Sequence, residues 1–329
     1  MSNNRLFSLE DTFILKGAAI FLIFCQHIGQ AYNISILNPL GPVGVCLFLF
    51  LSAYGLSYSY DHKGSQYYFL NKIVKVYIPY ILIVCIYVIW NFFLDKMTDM
   101  ETFLNYLMLI QLPQASYWYL ILMFWWYLVF YFYICILEKT KDKYYIPKYI
   151  DYLICIVLSL VISFLMNMDR LFIWQIFSFP LGIVAYNFEK QGKVTLIVDR
   201  IRKKSLSVLL VSVSICLIIL KRTSYIQRHE LGFADTIIQI ILTLVLSSLV
   251  IVFEKNLKGF QVLSKLKIIF FRIGIISYEI YLSHALLLDS LKKHRINFLQ
   301  YIFAVLVVIF LLNKVTDFLK QKLYAPYKI

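Results

Sequence analysis

The sequence is dominated by apolar blocks whose length is close to the about 20 residues with which an α-helix crosses a bilayer. Hydrophobic residues make up 61% of the 329 residues and charged residues only 15%, whereas soluble domains are close to half apolar. The blocks are continuous, and a membrane β-barrel would instead alternate apolar and polar residues. We therefore predict an all-α fold, a polytopic bundle of membrane helices.

Ten blocks are predicted to be transmembrane helices. Their approximate bounds are 13–32, 41–60, 76–94, 118–137, 150–167, 171–188, 206–220, 236–253, 268–289 and 298–319. The apolar stretch 103–112 is too short to cross, so it is expected to lie in the interface or to re-enter the membrane. No repeat or Pro-rich linker divides the chain. Residues 1–329 are therefore predicted to be a single integral-membrane domain without an appended soluble domain.

Lysine and arginine are distributed asymmetrically between the loops. With a cytoplasmic N-terminus, the inner segments hold 22 of the 32 basic residues and the outer segments hold 8. This asymmetry is expected of a multi-pass protein of the cytoplasmic membrane with both termini in the cytoplasm. It also accounts for the net charge of +14 without any binding of nucleic acid.

Several kinds of catalytic centre have no support in the sequence. All six cysteines lie inside the apolar blocks and none forms a CxxC pair, so they are expected to be small buried side chains. There is no GxSxG, P-loop or HExxH motif. Neither a covalent serine mechanism nor a metal site is predicted.

The first apolar block carries a lysine and a histidine, Lys16 and His27. On an α-helix, eleven residues bring two side chains within about 20° of one line and separate them by about 16.5 Å along the axis. One helix face would thus present a cation near the inner membrane surface and a titratable base near the outer one. Alternatively, Lys16 snorkels to the headgroups and His27 only hydrogen-bonds a neighbouring helix.

Five stretches resemble, in order, the motifs of the integral-membrane acyltransferase family 3. The first is KGAAIFLIFCQH (16–27), a basic residue followed by ten residues and a histidine. The others are GPVGVCLFLFLSAYGL (41–56), NKIVKVYIPY (71–80), SYWYLILMF (116–124) and ISYEIYLSH (276–284). The similarity extends over nearly the whole chain.

The sequence also departs from the family pattern. Lys16 stands where arginine is commoner, which keeps the charge but loses the bidentate fork. Ala53 follows Ser52 where the family usually has glycine, and the stretch from Asn71 to Lys75 replaces an arginine-rich pattern. These differences concern contacts with the donor more than the class of reaction.

The resemblance implies transfer of an acyl group from cytoplasmic acyl-coenzyme A to a hydroxyl, usually on a sugar of an envelope glycan. We predict acetyl-CoA as the donor and an envelope or capsular polysaccharide, or its lipid-linked precursor, as the acceptor. The donor is a co-substrate, and no permanently bound cofactor is expected. Such a transfer needs a base, and imidazole titrates near neutral pH, so His27 is the predicted general base. Lys16, Lys72 and Lys75 are predicted to bind the donor phosphates as point charges; ordinary cytoplasmic lysines are the alternative for each.

Four further residues are candidates within the resembling stretches. Glu279 and His284 are predicted catalytic residues; on one helix they would point about 140° apart. Glu279 would orient a histidine, pair with Lys314 or stay protonated, because an unpaired carboxylate in a membrane is costly. Trp118 and Ser52 are predicted to contact the substrate, Trp118 as a stacking platform for a sugar. Tyr117 is interpreted as a residue of the aromatic belt.

Two other functions remain open at this point. One is export of an envelope glycan, although the duplicated halves of many transporters are not visible. The other is a different class of membrane acyltransferase with an intramembrane histidine, against which the early position of His27 argues. The predicted partners are acyl-CoA, the glycan acceptor and the bilayer; the sequence predicts no particular oligomeric state.

Overall fold

The structure, a computed structural model, describes residues 6–93, 96–140, 157, 175, 177–192, 204–221, 237–238, 241–242, 244–245, 261–293 and 296–324. Within these ranges every regular element is a helix and there is no strand. The prediction of an all-α fold is therefore confirmed.

Eleven α-helices are described. Their bounds are α1 Leu9–Ala31, α2 Leu40–Lys63, α3 Tyr68–Lys72, α4 Ile78–Phe93, α5 Met100–Leu107, α6 Trp118–Thr140, α7 Ser178–Lys190, α8 Lys204–Lys221, α9 Gln261–Ile275, α10 Ser277–Lys292 and α11 Phe298–Tyr324. Short 3₁₀ turns at Ser35–Leu37 and Ala115–Tyr117 precede α2 and α6, and a π-helical segment, Ile73–Tyr77, joins α3 to α4.

Five stretches of helix are long and apolar enough to cross a membrane. They are Leu9–Ala31, Ser35–Lys63, Tyr68–Phe93, Ala115–Ile136 and Phe298–Leu323. They correspond to the predicted spans 13–32, 41–60, 76–94, 118–137 and 298–319. Spans 150–167 and 236–253 lie almost wholly outside the described residues, so the count of ten stays a prediction, as does the cytoplasmic position of both termini.

The chain divides into two compact units. Unit 1 comprises Met1–Gly64 and Met123–Ile275, and unit 2 comprises Ser65–Leu122 and Ile276–Ile329. Each boundary falls within or beside a helix, and α6 passes from unit 2 into unit 1.

Side-chain contacts join the helices of unit 1 in pairs near the start of α1 and the ends of α2, α6 and α7. Lys267 of α9 lies 3.1 Å from Glu10 of α1, and Lys190 of α7 lies 2.6 Å from Asp61 of α2. Tyr60 of α2 donates to Glu138, near the end of α6. The Leu6 amide before α1 donates to Glu189 at the end of α7, so α1 runs in one direction and α2, α6 and α7 run in the other direction. These relative directions are the ones predicted for spans 1, 2, 4 and 6.

Small residues let the helices of unit 1 approach closely. A Cβ atom added at Gly17 of α1 would overlap the carbonyl oxygen of Phe270 in α9, and one added at Gly274 would overlap that of Phe13. On the other side of α1, a Cβ at Gly44 of α2 would lie 2.5 Å from the Ala19 carbonyl oxygen. Close approach of backbones is a main source of packing energy between membrane helices, so these glycines fix α1 laterally.

In unit 2, α5 folds back along α4. The Tyr80 hydroxyl donates to the Tyr106 carbonyl at 2.7 Å and that of Tyr77 to the Leu107 carbonyl at 2.9 Å. The end of α5 therefore lies beside the beginning of α4 and not beside its end at Phe93. This placement favours re-entry over an interfacial position for the apolar stretch 103–112.

A second set of bonds attaches the segment before α6 to α10. Gln114 donates to the Leu286 carbonyl, Tyr117 to that of Leu282, and Tyr281 to that of Ser116, at 2.7–2.8 Å. The Leu282 and Leu286 carbonyls belong to α10, and the Ser116 carbonyl belongs to the 3₁₀ turn before α6. The three bonds therefore hold the segment 114–117 against α10 within unit 2.

Candidate active site

Helix α1 begins with a capping box that the sequence analysis overlooked. The Asp11 amide donates to Ser8 Oγ at 3.1 Å, and the Ser8 amide donates to Asp11 Oδ2 at 2.8 Å. The pattern of a serine followed three residues later by an acid was visible in the sequence. The box fixes where the helix carrying Lys16 and His27 starts.

The side of α1 that carries Lys16 and His27 is turned into the protein. Ile20 and Ile23 lie within about 40° of Lys16 around the axis, between the two candidates along it. They are 1% and 2% exposed, whereas Phe21, on another side of α1, is 49% exposed. Lys16 and His27 are themselves half-buried. A lipid-facing stripe would leave the two isoleucines exposed.

This side of α1 lies between its two packing surfaces. Phe13 and Gly17 approach α9, and Ala19 and Ile23 approach Gly44 of α2. The helix is thus held on both flanks of the Lys16–His27 stripe. Backbone packing of this kind makes the orientation of the stripe a fixed property of unit 1.

His27 and Lys16 each contact another side chain of α1, and their predicted roles stay predictions. His27 Nδ1 lies 3.3 Å from the Gln30 side-chain oxygen. In the tautomer that donates from Nδ1 to this oxygen, Nε2 is the basic nitrogen. The Lys16 ammonium lies 5.9 Å from the centroid of the Phe13 ring, within the range of a cation–π contact, so it is directed one turn back toward the start of α1.

Ser52 is the third candidate in unit 1. It is half-buried on α2 and hydrogen-bonds to the Tyr127 hydroxyl of α6. Ala53 beside it is fully buried. The contact with Tyr127 gives Ser52 a structural role in joining α2 to α6, and its predicted contact with substrate stays a prediction.

In unit 2, Lys72 and Lys75 do not share a regular α-helix. Lys72 ends α3, and Lys75 lies in the π-helical segment. A π-helix has more residues per turn than an α-helix. The side chains of two residues that are three apart therefore point in more different directions around the axis than they would on an α-helix. Lys72 is half-buried with its ammonium 5.6 Å from the Tyr68 ring centroid, and Lys75 is exposed. π-Bulges are frequent at functional sites.

Glu279 and His284 both lie on α10, as predicted. The predicted span 268–289 is broken at Ile276, which places Glu279 in the first turn of α10. A carboxylate there is stabilised by the helix dipole, which the sequence analysis did not foresee. His284 is completely buried, and its Nδ1 donates to the Ile280 carbonyl at 2.9 Å.

Two neighbouring aromatic residues at the start of α6, Tyr117 and Trp118, lie in different environments. Trp118 is half-buried and begins the helix, and its role as a sugar platform stays a prediction. Tyr117 is 0% exposed and bonds to the Leu282 carbonyl at 2.8 Å. The interpretation of Tyr117 as a belt residue is therefore wrong: its hydroxyl serves packing within unit 2, not the membrane interface.

The structure thus distributes the candidates between the units. Unit 1 holds Lys16, His27 and Ser52, and unit 2 holds Lys72, Lys75, Trp118, Glu279 and His284. Among the residues that the structure describes, no group of three or more His, Cys, Asp or Glu side chains is placed to hold a metal ion.

Comparison with known proteins assigns the chain to a family. A family model described as an acyltransferase domain, that of the acyltransferase 3 family, matches residues 14–313. The match includes all eight candidate residues. No curated protein and no solved structure matches the chain. Because the model covers nearly the whole sequence, the chain belongs to the acyltransferase 3 family of membrane acyltransferases.

Proposed function

We propose that the protein is an O-acyltransferase that transfers acetyl from cytoplasmic acetyl-CoA to a hydroxyl of an envelope or capsular polysaccharide or of its lipid-linked precursor. The family assignment supports acyl transfer and does not favour glycan export. The observation that carries the specific proposal is the buried side of α1, where Ile20 and Ile23 lie between a half-buried lysine and a half-buried histidine.

The proposed reaction is a direct attack on the thioester. The acceptor hydroxyl donates its proton to His27 Nε2 while its oxygen bonds to the acetyl carbon. The carbon–sulfur bond then breaks, and the coenzyme A thiolate takes up the proton that His27 holds. The Gln30 contact supports this direction of transfer in the tautomer that donates from Nδ1, because Nε2 is then the acceptor.

The donor is proposed to enter with its phosphates toward the basic residues near the start of α1. Lys16 is about 16.5 Å from His27 along the axis, which allows an extended molecule to contact both. Lys72 and Lys75 are proposed phosphate-binding residues of unit 2, and Glu279 and His284 are proposed catalytic residues of the same unit. Trp118 and Ser52 are proposed to contact the acceptor glycan.

Removal of the base is the direct test of this proposal. Membranes containing the protein are given acetyl-CoA labelled in its acetyl group, and label is followed into glycan. We expect His27→Ala to lower the rate by about 10²–10⁴.

The matched control is His62→Ala. His62 is exposed on the last turn of α2 and bonds to the Tyr58 carbonyl, so its loss should leave the rate unchanged. Undiminished labelling in His27→Ala would contradict the assigned base. Undiminished labelling combined with loss of glycan from the cell surface would indicate export instead.

A further inference from the structure

Outside the candidate residues, the strongest side-chain cluster fastens the segment before α1. The Leu6 amide donates to Glu189 Oε2 at 2.8 Å, and the Tyr54 hydroxyl donates to the same oxygen. The Phe7 amide in turn lies 3.4 Å from the Tyr54 oxygen. We call this set, Leu6, Phe7, Tyr54 and Glu189, the N-terminal clamp.

The clamp also has an apolar part. Phe7 is 3% exposed, and its ring meets Phe50 and Tyr54 edge to face, with centroids 5.9 and 5.3 Å apart. Edge-to-face pairs of this kind add to the gain from burial. The segment is therefore held by a charged acceptor on α7 and by aromatic rings on α2, although Glu189 is 135 residues from Tyr54 along the chain.

The position of Glu189 is unfavourable for a residue that serves α7 alone. It lies one residue before the end of the helix, where the helix dipole disfavours a negative charge. The adjacent Lys190 pairs with Asp61 of α2. Glu189 accepts hydrogen bonds from the Leu6 amide and the Tyr54 hydroxyl. Hydrogen bonds to a carboxylate are stronger than those to a neutral oxygen, so these two bonds offset the unfavourable effect of the helix dipole.

The clamp is directly adjacent to α1 in the sequence, with no intervening loop. Ser8, the residue after Phe7, is the N-cap of α1 and forms the capping box with Asp11. Lys16 follows the first residue of α1 by seven residues, about 10.5 Å along the axis. The glycine contacts hold α1 laterally, so the clamp is placed to fix its position along the axis.

We propose that Glu189 and Tyr54 are positioning residues that set the axial position of α1, and with it the positions of Lys16 and His27. The inference rests on the proposed function of those two residues. Misplacement of catalytic groups by about 1 Å costs up to about 10²-fold in rate. Loss of the clamp should therefore reduce transfer without removing any group that touches a substrate.

The test combines a proteolytic and a kinetic readout on the full-length detergent-solubilised protein with an N-terminal tag. Trypsin cleaves after arginine. The N–H group of the Arg5–Leu6 peptide bond is the Leu6 amide, which donates to Glu189. We expect Glu189→Ala to speed release of the tag at this bond by about tenfold or more, because a hydrogen bond to a charged group is lost. Tyr54→Phe should act in the same direction.

Two matched controls come from the same end of unit 1. Tyr60 of α2 donates to Glu138 at 3.0 Å, the same pairing of side chains as in the clamp. Glu138→Ala and Tyr60→Phe should change neither cleavage at Arg5–Leu6 nor transfer. Glu189→Gln keeps an acceptor oxygen and should restore most of the protection and most of the activity.

The kinetic readout separates positioning from simple loss of folded protein. Loss of folded enzyme lowers kcat and leaves the KM for acetyl-CoA unchanged, whereas a shifted α1 should raise this KM and lower kcat together. Unchanged cleavage in Glu189→Ala would overturn the clamp, and faster cleavage with normal kinetics would overturn its positioning role. A wild-type protein without transfer activity would contradict the proposed function instead, and the cleavage comparison would still decide whether the clamp exists.

Discussion

At the scale of single residues, the sequence spacing placed Lys16 and His27 on one stripe of α1, and the structure adds the direction in which that stripe faces. Eleven residues on one helix define a stripe, and the burial of Ile20 and Ile23 shows that the stripe faces the protein. The sequence could not reveal this orientation, because apolar residues surround the stripe on every side of α1. The direction in which the stripe faces is determined by α2 and α9, which pack against α1.

Lys16 leads to a prediction that depends on the chemistry of the donor. Lys16→Ala should raise the KM for acetyl-CoA, because a point charge near the phosphates is lost. With acetyl-pantetheine, which lacks the nucleotide and its phosphates, wild type and Lys16→Ala should have the same KM. The measurement is initial transfer rate against donor concentration for both donors. An equal effect of the substitution on both would assign Lys16 a structural role.

At the scale of elements, the long helices were predictable and their interruptions were not. The bounds of α1, α2, α6 and α11 agree with apolar blocks of the sequence to within several residues. Hydropathy alone gave no signal for the break at Ile276 or for the π-helical segment Ile73–Tyr77. The π-helical segment nevertheless has a local cause in the sequence, because Pro79 lacks the amide that would donate to the Lys75 carbonyl and its ring crowds that carbonyl. No proline lies near Ile276.

Glycine packing around α1 gives a prediction at this scale. Gly17→Ala should destabilise the folded protein, since the added Cβ would overlap the Phe270 carbonyl oxygen. Gly55→Ala is the matched control: nothing lies within 4 Å of its added Cβ, and replacing glycine within a helix is favourable by roughly 0.5–1 kcal/mol. Thermal unfolding in detergent should show a lower Tm for Gly17→Ala and an unchanged or higher Tm for Gly55→Ala. Equal Tm values would mean that α1 and α9 are not in close contact.

At the scale of the whole molecule, the sequence predicted the class of protein and not its internal division. Composition and loop charges suffice for a helical membrane protein, and the directions of α1, α2, α6 and α7 agree with the predicted spans. The N-terminal clamp was missed because Tyr54 and Glu189 are far apart in sequence. Tyr54 lies in the motif at 41–56, but nothing in that motif pairs it with a residue near 189. A single sequence contains no signal that pairs such residues.

The central claim is that the side of α1 bearing Lys16 and His27 lines the path of the acyl donor. It is tested most directly by an electron cryo-microscopy structure of the full-length protein with a non-hydrolysable acetyl-CoA analogue. We predict that the phosphates of the analogue lie toward Lys16 and that its acyl carbonyl lies close enough to His27 Nε2 for one hydroxyl to fit between them. An analogue bound away from α1, or a His27 ring that faces lipid, would contradict the account.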